Sequence, residues 1–254
     1  MSDLRLEIDG KVATLLIDRP QARNALATGT MRELDEALGS IHQTGASVLV
    51  IRGAGERAFC AGGDLKELEH MRSEEGAAEM ARAMRTTLDR IPQLPIPVIA
   101  GLNGDAYGGG AELAVACDFR VAADHARIGF AHITLGLMPA WGASERLAAL
   151  VGRGRALYML LSGDIMSATK ARKVGLVEAV CAAENFDEEL RKLAQTIAAA
   201  PTAAVAGIKA SVNAVRPHHN PELAGDTIAA FAKTWADPAH WDAVEKMERR
   251  RRDR

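Results

Sequence analysis

Short apolar runs of strand length alternate with helical periodicity along the first part of the chain. The runs at 12–17 and 47–51 have the length of strands, and apolar residues recur at helical spacing over 31–38. This alternation is typical of parallel strands that are covered on both faces by helices. The sequence therefore predicts an α/β core over 1–195, followed by a helical region over 196–254 that belongs to the same unit.

The composition excludes several classes of protein. The 254 residues carry 31 Lys and Arg against 33 Asp and Glu, a formal net charge of −2, which argues against a dedicated nucleic-acid binder. No apolar run reaches the ~20 residues that a membrane span needs. Cys60, Cys117 and Cys181 lack metal-ligand spacing and are odd in number, so neither a metal site nor a disulfide framework is expected. The first residues do not resemble a signal or transit peptide, and we expect a cytoplasmic location.

A glycine-containing segment after the run at 47–51 matches a nucleotide-binding pattern. Residues 53–58 satisfy the G-x-G-x-x-A form of the dinucleotide fingerprint, which should open a helix facing a pyrophosphate. Here the segment leads into 59–63, which has no helical periodicity. A turn is therefore favoured over a nucleotide site.

Two further glycine clusters, at 58–66 and 108–113, combine small residues with the predicted start of a helix. Small residues let a backbone approach a ligand closely, and the first N–H groups of a helix lack partners within it. Two such clusters could each direct one N–H group at a single oxygen, which would form an oxyanion hole. Each cluster alone is more typical of a tight turn.

Five segments that include these clusters resemble the crotonase (enoyl-CoA hydratase/isomerase) superfamily. They are 58–65, 97–104, 108–113, 117–118 and 161–164. The resemblance implies an α/β fold built as a crotonase-like spiral of ββα units, with a C-terminal helical trimerisation region. It also implies an acyl-CoA substrate, a homotrimer or homohexamer, and no cofactor besides the coenzyme A thioester that is the substrate.

The resemblance also implies which residues bind the thioester. The family stabilises a thioester enolate with two backbone N–H groups, which here correspond to Gly63 and Gly109. Contacts to the substrate and its coenzyme A arm are implied for a larger set, with Lys66 a further candidate: Arg23, Ala25, Leu26, Ala61, Gly62, Asp64, Leu65 and Lys66.

Glu112 is the candidate acid or base, because it is the only charged residue between Asp105 and Asp118. A carboxyl group surrounded by Ala, Leu and Val is suited to proton transfer, and the family has a catalytic glutamate at this position. The alternative is a carboxylate that only complements the dipole of its own helix. Hydratases of the family carry a second glutamate, and His132 stands at that position. A Glu–His pair could divide the two roles, but a structural histidine is an equal alternative.

Other segments resemble the ethylmalonyl-CoA decarboxylase branch of the superfamily. They are 117–120, 130–132 together with 136–142, and 235–239. Decarboxylation of a 2-alkylmalonyl-CoA produces the same enolate, and Leu137 and Trp141 could line the apolar pocket that it needs. Hydration of an enoyl-CoA by a lyase, decarboxylation and double-bond isomerisation therefore all remain possible reactions.

A basic end at 248–254 raises RNA binding as a non-enzymatic alternative, although the net charge of the chain argues against nucleic acid as a partner. Terminal charge runs are typical of solvated, disordered ends. Phe231 and Lys246 are candidates for contacts to the coenzyme A of a neighbouring subunit, as the resemblance implies.

Overall fold

The computed structural model describes residues 2–214 and 221–253. The described residues form ten strands: β1 Leu4–Asp9, β2 Val12–Ile17, β3 Val48–Gly53, β4 Ala58–Cys60, β5 Val98–Leu102, β6 Asp105–Tyr107, β7 Phe119–Ala123, β8 Arg127–Gly129, β9 Ile165–Ser167 and β10 Ala179–Cys181. They also form eleven α-helices: α1 Thr28–Ser40, α2 Leu65–Leu68, α3 Glu74–Arg90, α4 Gly109–Ala116, α5 Ala143–Val151, α6 Arg153–Ser162, α7 Ala168–Lys173, α8 Phe186–Ala198, α9 Thr202–Asn213, α10 Pro221–Ala236 and α11 Pro238–Arg252. Short 3-10 helices lie at Pro20–Ala22, Ile41–Thr44, Ile91–Gln93, Ala131–Leu135 and Ala183–Asn185.

The strands form two sheets, and three pairs of consecutive strands contribute one strand to each sheet. One sheet has the order β1-β2-β3-β5-β7-β10, and the other has the order β4-β6-β8-β9. The pairs β3/β4, β5/β6 and β7/β8 each place one strand in each sheet before the chain enters a helix. Strands β2, β3, β5, β7 and β10 pair in parallel. This arrangement confirms the predicted α/β fold and its spiral of ββα units.

The longer strands lie where the sequence predicts them. Asp9 pairs with Val12 across the expected hairpin turn, and the apolar run at 47–51 lies within β3. The sequence did not indicate the four strands of the second sheet, because each has only three residues and lacks a periodic pattern. Three-residue strands depend on pairing with their neighbours rather than on local propensity.

The C-terminal helices pack on the core of their own chain. Helix α10 lies against α3, and α11 lies against the 3-10 helix Ala131–Leu135. Trp235 is buried and donates from Nε1 to the carbonyl oxygen of Met71 at 2.5 Å, while His240 Nδ1 donates to Leu135 at 2.6 Å. Phe231 lines the cavity of its own chain, and its contact with a neighbouring subunit stays a prediction.

A buried lysine fastens α9 to the sheet. Lys209 Nζ donates to the carbonyl oxygens of Ile91 at 3.0 Å and Ile96 at 2.8 Å, and lies 2.7 Å from Asp118 Oδ2. The same Asp118 oxygen accepts the backbone N–H of Val98 at 2.8 Å. One ammonium group thus joins α9 to the segment that enters β5.

We expect Lys209→Met to lower the free energy of unfolding by about 3 kcal/mol, because it leaves the Asp118 carboxylate buried without its cation. Urea unfolding followed by circular dichroism measures this loss. Lys170→Met is the matched control, since Lys170 pairs with Asp164 on an exposed surface and its loss should barely move the midpoint. Equal losses in both variants would contradict the role of Lys209.

No helix within 2–214 and 221–253 is both long and apolar enough to cross a membrane. The basic end is helical as far as Arg252, in contrast to the expected disordered end, and Arg254 lies outside the described residues. Arg249 and Arg252 lie 3.6 Å and 3.7 Å from the carboxylates of Glu245 and Glu248, one helical turn earlier.

Candidate active site

The two glycine clusters meet at one place in the fold. A Cβ atom on Gly62 would lie 3.1 Å from the backbone nitrogen of Gly109, and a Cβ on Gly110 would overlap the carbonyl of Cys60. Gly62 also has a φ of +99°, which favours glycine. The close approach therefore depends on glycine in both clusters, as the sequence predicts.

Gly63 and Gly109 both line a cavity of about 570 Å³. Gly109 is the first residue of α4, where the N–H groups have no partner within the helix and the positive end of the dipole lies. Within the described part of the chain, neither amide donates a hydrogen bond to a protein group. The site therefore presents two N–H donors from adjoining backbone segments, as an oxyanion hole requires.

Glu112 lies in the first turn of α4 but binds the start of a different helix. Its Oε2 accepts the backbone N–H groups of Trp141 at 2.8 Å and Ala143 at 3.0 Å, where α5 begins. Its Oε1 lies 3.1 Å from His132 Nε2. The carboxyl group is 2% exposed and lines the cavity. One oxygen is thus held by the backbone, while the other faces the imidazole of His132.

His132 lies on the 3-10 helix Ala131–Leu135, next to the cavity. Its Nδ1 is buried and has no hydrogen-bond partner within the described residues. A buried ring nitrogen without a partner usually binds water or a ligand. The Glu112–His132 pair therefore shares one contact, and the second ring nitrogen of His132 is buried without a protein partner among the described residues.

Apolar side chains form another part of the cavity wall. Leu137 and Trp141 lie there as expected, and the ring of Trp141 packs so closely on Gly109 that a Cβ on that glycine would lie 2.6 Å from Cη2. Other lining residues have no signal in the sequence, because they reach the site only through the tertiary fold, from α2, α3, β6, α10 and α11: Leu68, Met80, Tyr107, Trp235, Met247 and Glu248.

The residues expected to contact the coenzyme A arm lie along the same cavity, with one exception. Its lining includes Arg23, Ala25, Ala61, Gly62, Asp64, Leu65 and Lys66. Leu26 is fully buried in the core and does not line the cavity. Its backbone instead pairs with the first glycine cluster, donating to Gly62 at 2.8 Å and accepting from Asp64 at 2.9 Å. Leu26 therefore supports the first glycine cluster through its backbone, instead of lining the cavity as a contact to the coenzyme A arm.

The segment at 53–58 is a turn rather than a nucleotide site. Asn103 Oδ1 accepts the N–H of Gly53 at 2.9 Å, and the side-chain amide of Asn24 donates to the carbonyl oxygens of Ala54 and Ala58. The two asparagines thus bind the backbone that a pyrophosphate would need, and the chain continues into β4 instead of a helix.

The cysteines near the site are packed rather than reactive. Burial raises the pKa of the Cys60 and Cys117 thiols to about 12, although a hydrogen bond with the backbone of Gly62 acts in the opposite direction on Cys60. Neither forms a thiolate near neutral pH, so neither is a nucleophile. Within 2–214 and 221–253, no group of three His, Cys, Asp or Glu residues could hold a metal ion.

Comparison with known proteins identifies a matching family model and similar sequences. The model of the enoyl-CoA hydratase/isomerase family matches residues 7–248. The chain is 37% identical to a crotonyl-CoA hydratase of Syntrophomonas wolfei, over 82% of this chain and 80% of that protein. It is 36% identical to a short-chain-enoyl-CoA hydratase of Clostridium acetobutylicum, over 84% and 82% of the two chains.

A solved structure has the same fold. The crystal structure of an enoyl-CoA hydratase from Mycobacterium avium subsp. paratuberculosis superimposes with a TM-score of 0.87 and 28% identity, covering 96% of this chain and 98% of that one. Because the family model spans nearly the whole chain, and the two glycine clusters and Glu112 form one cavity, the protein belongs to the enoyl-CoA hydratase/isomerase family.

Proposed function

We propose that the protein is an acyl-CoA lyase of the hydratase type, which works through a thioester enolate. The observation that carries this proposal is the convergence of the Gly63 and Gly109 amides with the Glu112–His132 pair on one cavity. The two amides would bind the thioester oxygen as it becomes negative, and the pair would move the proton. The named hydratases among the relatives support the same reaction.

Hydration of an enoyl thioester follows from this arrangement. A base of the Glu112–His132 pair removes a proton from water, and the water oxygen bonds to C3. The electron pair of the C2–C3 double bond moves into the enolate, whose oxygen is held by the two amides. The acid of the pair then protonates C2. The 3.1 Å contact between Glu112 Oε1 and His132 Nε2 lets these two groups exchange a proton, so that one can act as the base and the other as the acid.

Decarboxylation of a 2-alkylmalonyl-CoA is the second candidate, and the imidazole at position 132 favours it. A second carboxylate there would repel the carboxylate of such a substrate, whereas His132 does not. Trp141 and Met80 give that side of the cavity an apolar wall. The bond from C2 to the carboxylate would break, CO2 would leave, and the resulting enolate would take a proton at C2 from His132 or Glu112.

Parallel assays with a 2-enoyl-CoA and a 2-alkylmalonyl-CoA distinguish these candidates. Loss of the enoyl absorbance reports water addition, and a coupled assay reports CO2 release. Movement of the double bond without water uptake would indicate isomerisation. Retention of RNA in a filter-binding salt series, with no turnover of either thioester, would contradict the lyase and favour the non-enzymatic alternative.

We further propose a homotrimer or homohexamer, because α6 and its surroundings leave apolar side chains exposed on a single chain. Leu157, Tyr158 and Leu161 are 41%, 64% and 67% exposed, and Ile133 lies on the adjoining 3-10 helix. An exposed apolar patch of this kind is typical of a protein interface. Three other expectations stay predictions. They are a cytoplasmic location, the absence of a cofactor besides coenzyme A, and the boundary near residue 195 between the core and the helical region, which lies within α8.

We expect Leu161→Asp to shift the protein towards monomer, because the assembly would bury an unpaired charge. Sedimentation equilibrium measures the change in mass. Leu6→Asp, at an exposed leucine on β1, is the control and should leave the mass unchanged. A monomeric wild-type protein would contradict the proposed assembly.

A further inference from the structure

The loop that holds Glu112 is itself fastened by a buried guanidinium. Arg146 Nη1 donates to the carbonyl oxygen of Trp141 at 2.5 Å, while the N–H group of the same Trp141 binds Glu112 Oε2. Arg146 is on the first turns of α5 and its side chain is only 12% exposed. The carboxylate of Glu112 therefore accepts the N–H group of Trp141, while the guanidinium of Arg146 binds the carbonyl oxygen of the same residue.

The guanidinium is anchored to α3 through an ion-pair cluster. Arg146 Nη2 bonds to Asp89 Oδ1, and Asp89 Oδ2 lies 2.8 Å from Arg85 Nε. Arg85 in turn lies 3.1 Å from Glu145 Oε1, so the four side chains are electrically balanced. Two cations and two anions thus connect α3 to the start of α5.

Gly142 leaves room for this cluster directly behind the loop. It has a φ of +98°, and a Cβ there would lie 2.5 Å from Arg146 Nη1 and 3.1 Å from Arg85 Cζ. The backbone at 141–143 therefore lies directly on the two guanidinium groups. A shift of Arg146 would move the two N–H groups that hold Glu112.

The charge of Arg146 also acts on the site. Burial lowers the pKa of its guanidinium, and the nearby negative charges of Asp89 and Glu112 act in the opposite direction. The guanidinium and Glu112 thus interact electrostatically as well as through the backbone of Trp141. Among the described residues, Asp89, Glu145 and Arg85 are the charged groups around Arg146. His132 contacts Glu112, and the Cys117 thiol also interacts electrostatically with Arg146.

We propose that Arg146, anchored by Asp89, is a positioning residue that fixes the Trp141–Ala143 loop and so orients Glu112 Oε1 towards His132 and the substrate. This inference rests on the proposed function, since it assigns Arg146 to the proton-transfer step. A change in position of the order of 1 Å at a reacting group can reduce the rate by about 10²-fold. Substrate binding involves other parts of the cavity and should change little.

Three variants separate the contributions of Arg146 and Asp89. Arg146→Gln removes the charge but retains a donor for the carbonyl oxygen of Trp141. Arg146→Lys retains the charge, and Asp89→Asn removes only the anchoring charge. We expect kcat to fall about 10- to 100-fold in Arg146→Gln with KM changed less than about threefold, to fall less in Asp89→Asn, and to recover partly in Arg146→Lys. Arg90→Gln, which breaks an exposed pair on the same helix α3, should leave both constants unchanged.

The ¹⁵N signals of the His132 imidazole provide a readout that does not depend on turnover. Displacement of Glu112 should shift these signals in Arg146→Gln and Asp89→Asn, but not in Arg90→Gln. If the wild-type protein turns over neither thioester, the proposed function fails while the NMR comparison still decides the positioning role. If Arg146→Gln does not fold, Asp89→Asn and Arg146→Lys decide it. Unchanged kcat and unchanged His132 signals in the folded variants would overturn the proposal.

Discussion

Glu112→Gln is expected to lower kcat about 10³-fold for whichever thioester the enzyme converts. The side-chain amide has almost the same shape as the carboxyl, and its oxygen can still accept the N–H groups of Trp141 and Ala143. The fold and the substrate site should therefore be preserved. The amide cannot accept or release a proton near neutral pH, and proton transfer by a positioned group typically contributes 10²- to 10⁴-fold.

Steady-state kinetics at saturating substrate measure this effect, and the thermal midpoint shows whether the variant remains folded. Glu79→Gln is the matched control, since Glu79 is exposed on α3 and does not line the cavity. If Glu112→Gln keeps wild-type kcat, Glu112 is not the proton-transfer group, and the alternative of a carboxylate with a purely structural role is correct.

Gly109→Ala is expected to reduce kcat about 10²- to 10³-fold, the range found when an oxyanion-hole donor is lost. The new Cβ would overlap the ring of Trp141, which is buried and cannot move aside freely. Either the first turn of α4 or the loop at Trp141 must shift. Both shifts damage the site, because α4 provides the Gly109 amide and the Trp141 amide holds Glu112.

Gly39→Ala tests whether any added methyl group has this effect. Gly39 lies in α1, and a Cβ there meets no atom within 4 Å, so this variant should keep full activity. The double variant Gly109→Ala with Trp141→Ala should recover part of the lost rate, because removal of the ring relieves the overlap. Full activity in Gly109→Ala alone would contradict the claim that the close approach of Gly109 and Trp141 holds the Gly109 amide and Glu112 in place.

Much of the central architecture could be predicted because it depends on local patterns. The apolar run of β3 and the hairpin turn at Asp9 have clear local signals, and the residues at 108–113 specify both a close approach and a helix start. Glu112 stands out for the same reason, as a lone charge in an apolar helix. Each of these features is determined by neighbours within a few residues.

The missed features depend on contacts between distant parts of the chain. Trp235 reaches the carbonyl of Met71 across 164 positions of sequence, and Met80 lines the cavity because α10 and the site both pack on α3. Leu26 is misassigned because its side chain points into the core while its backbone supports the first glycine cluster. A sequence pattern locates such a segment but does not distinguish side-chain from backbone roles.

The most direct test of the enolate chemistry is turnover in D2O, followed by NMR of the product at C2. Both hydration and decarboxylation end with protonation of an enolate by a protein group in this site. We therefore expect a single deuterium on one face of C2, delivered at a rate that falls in Glu112→Gln. Product with deuterium distributed over both faces of C2, or with none, would contradict an enolate that is held by Gly63 and Gly109 and protonated by the Glu112–His132 pair.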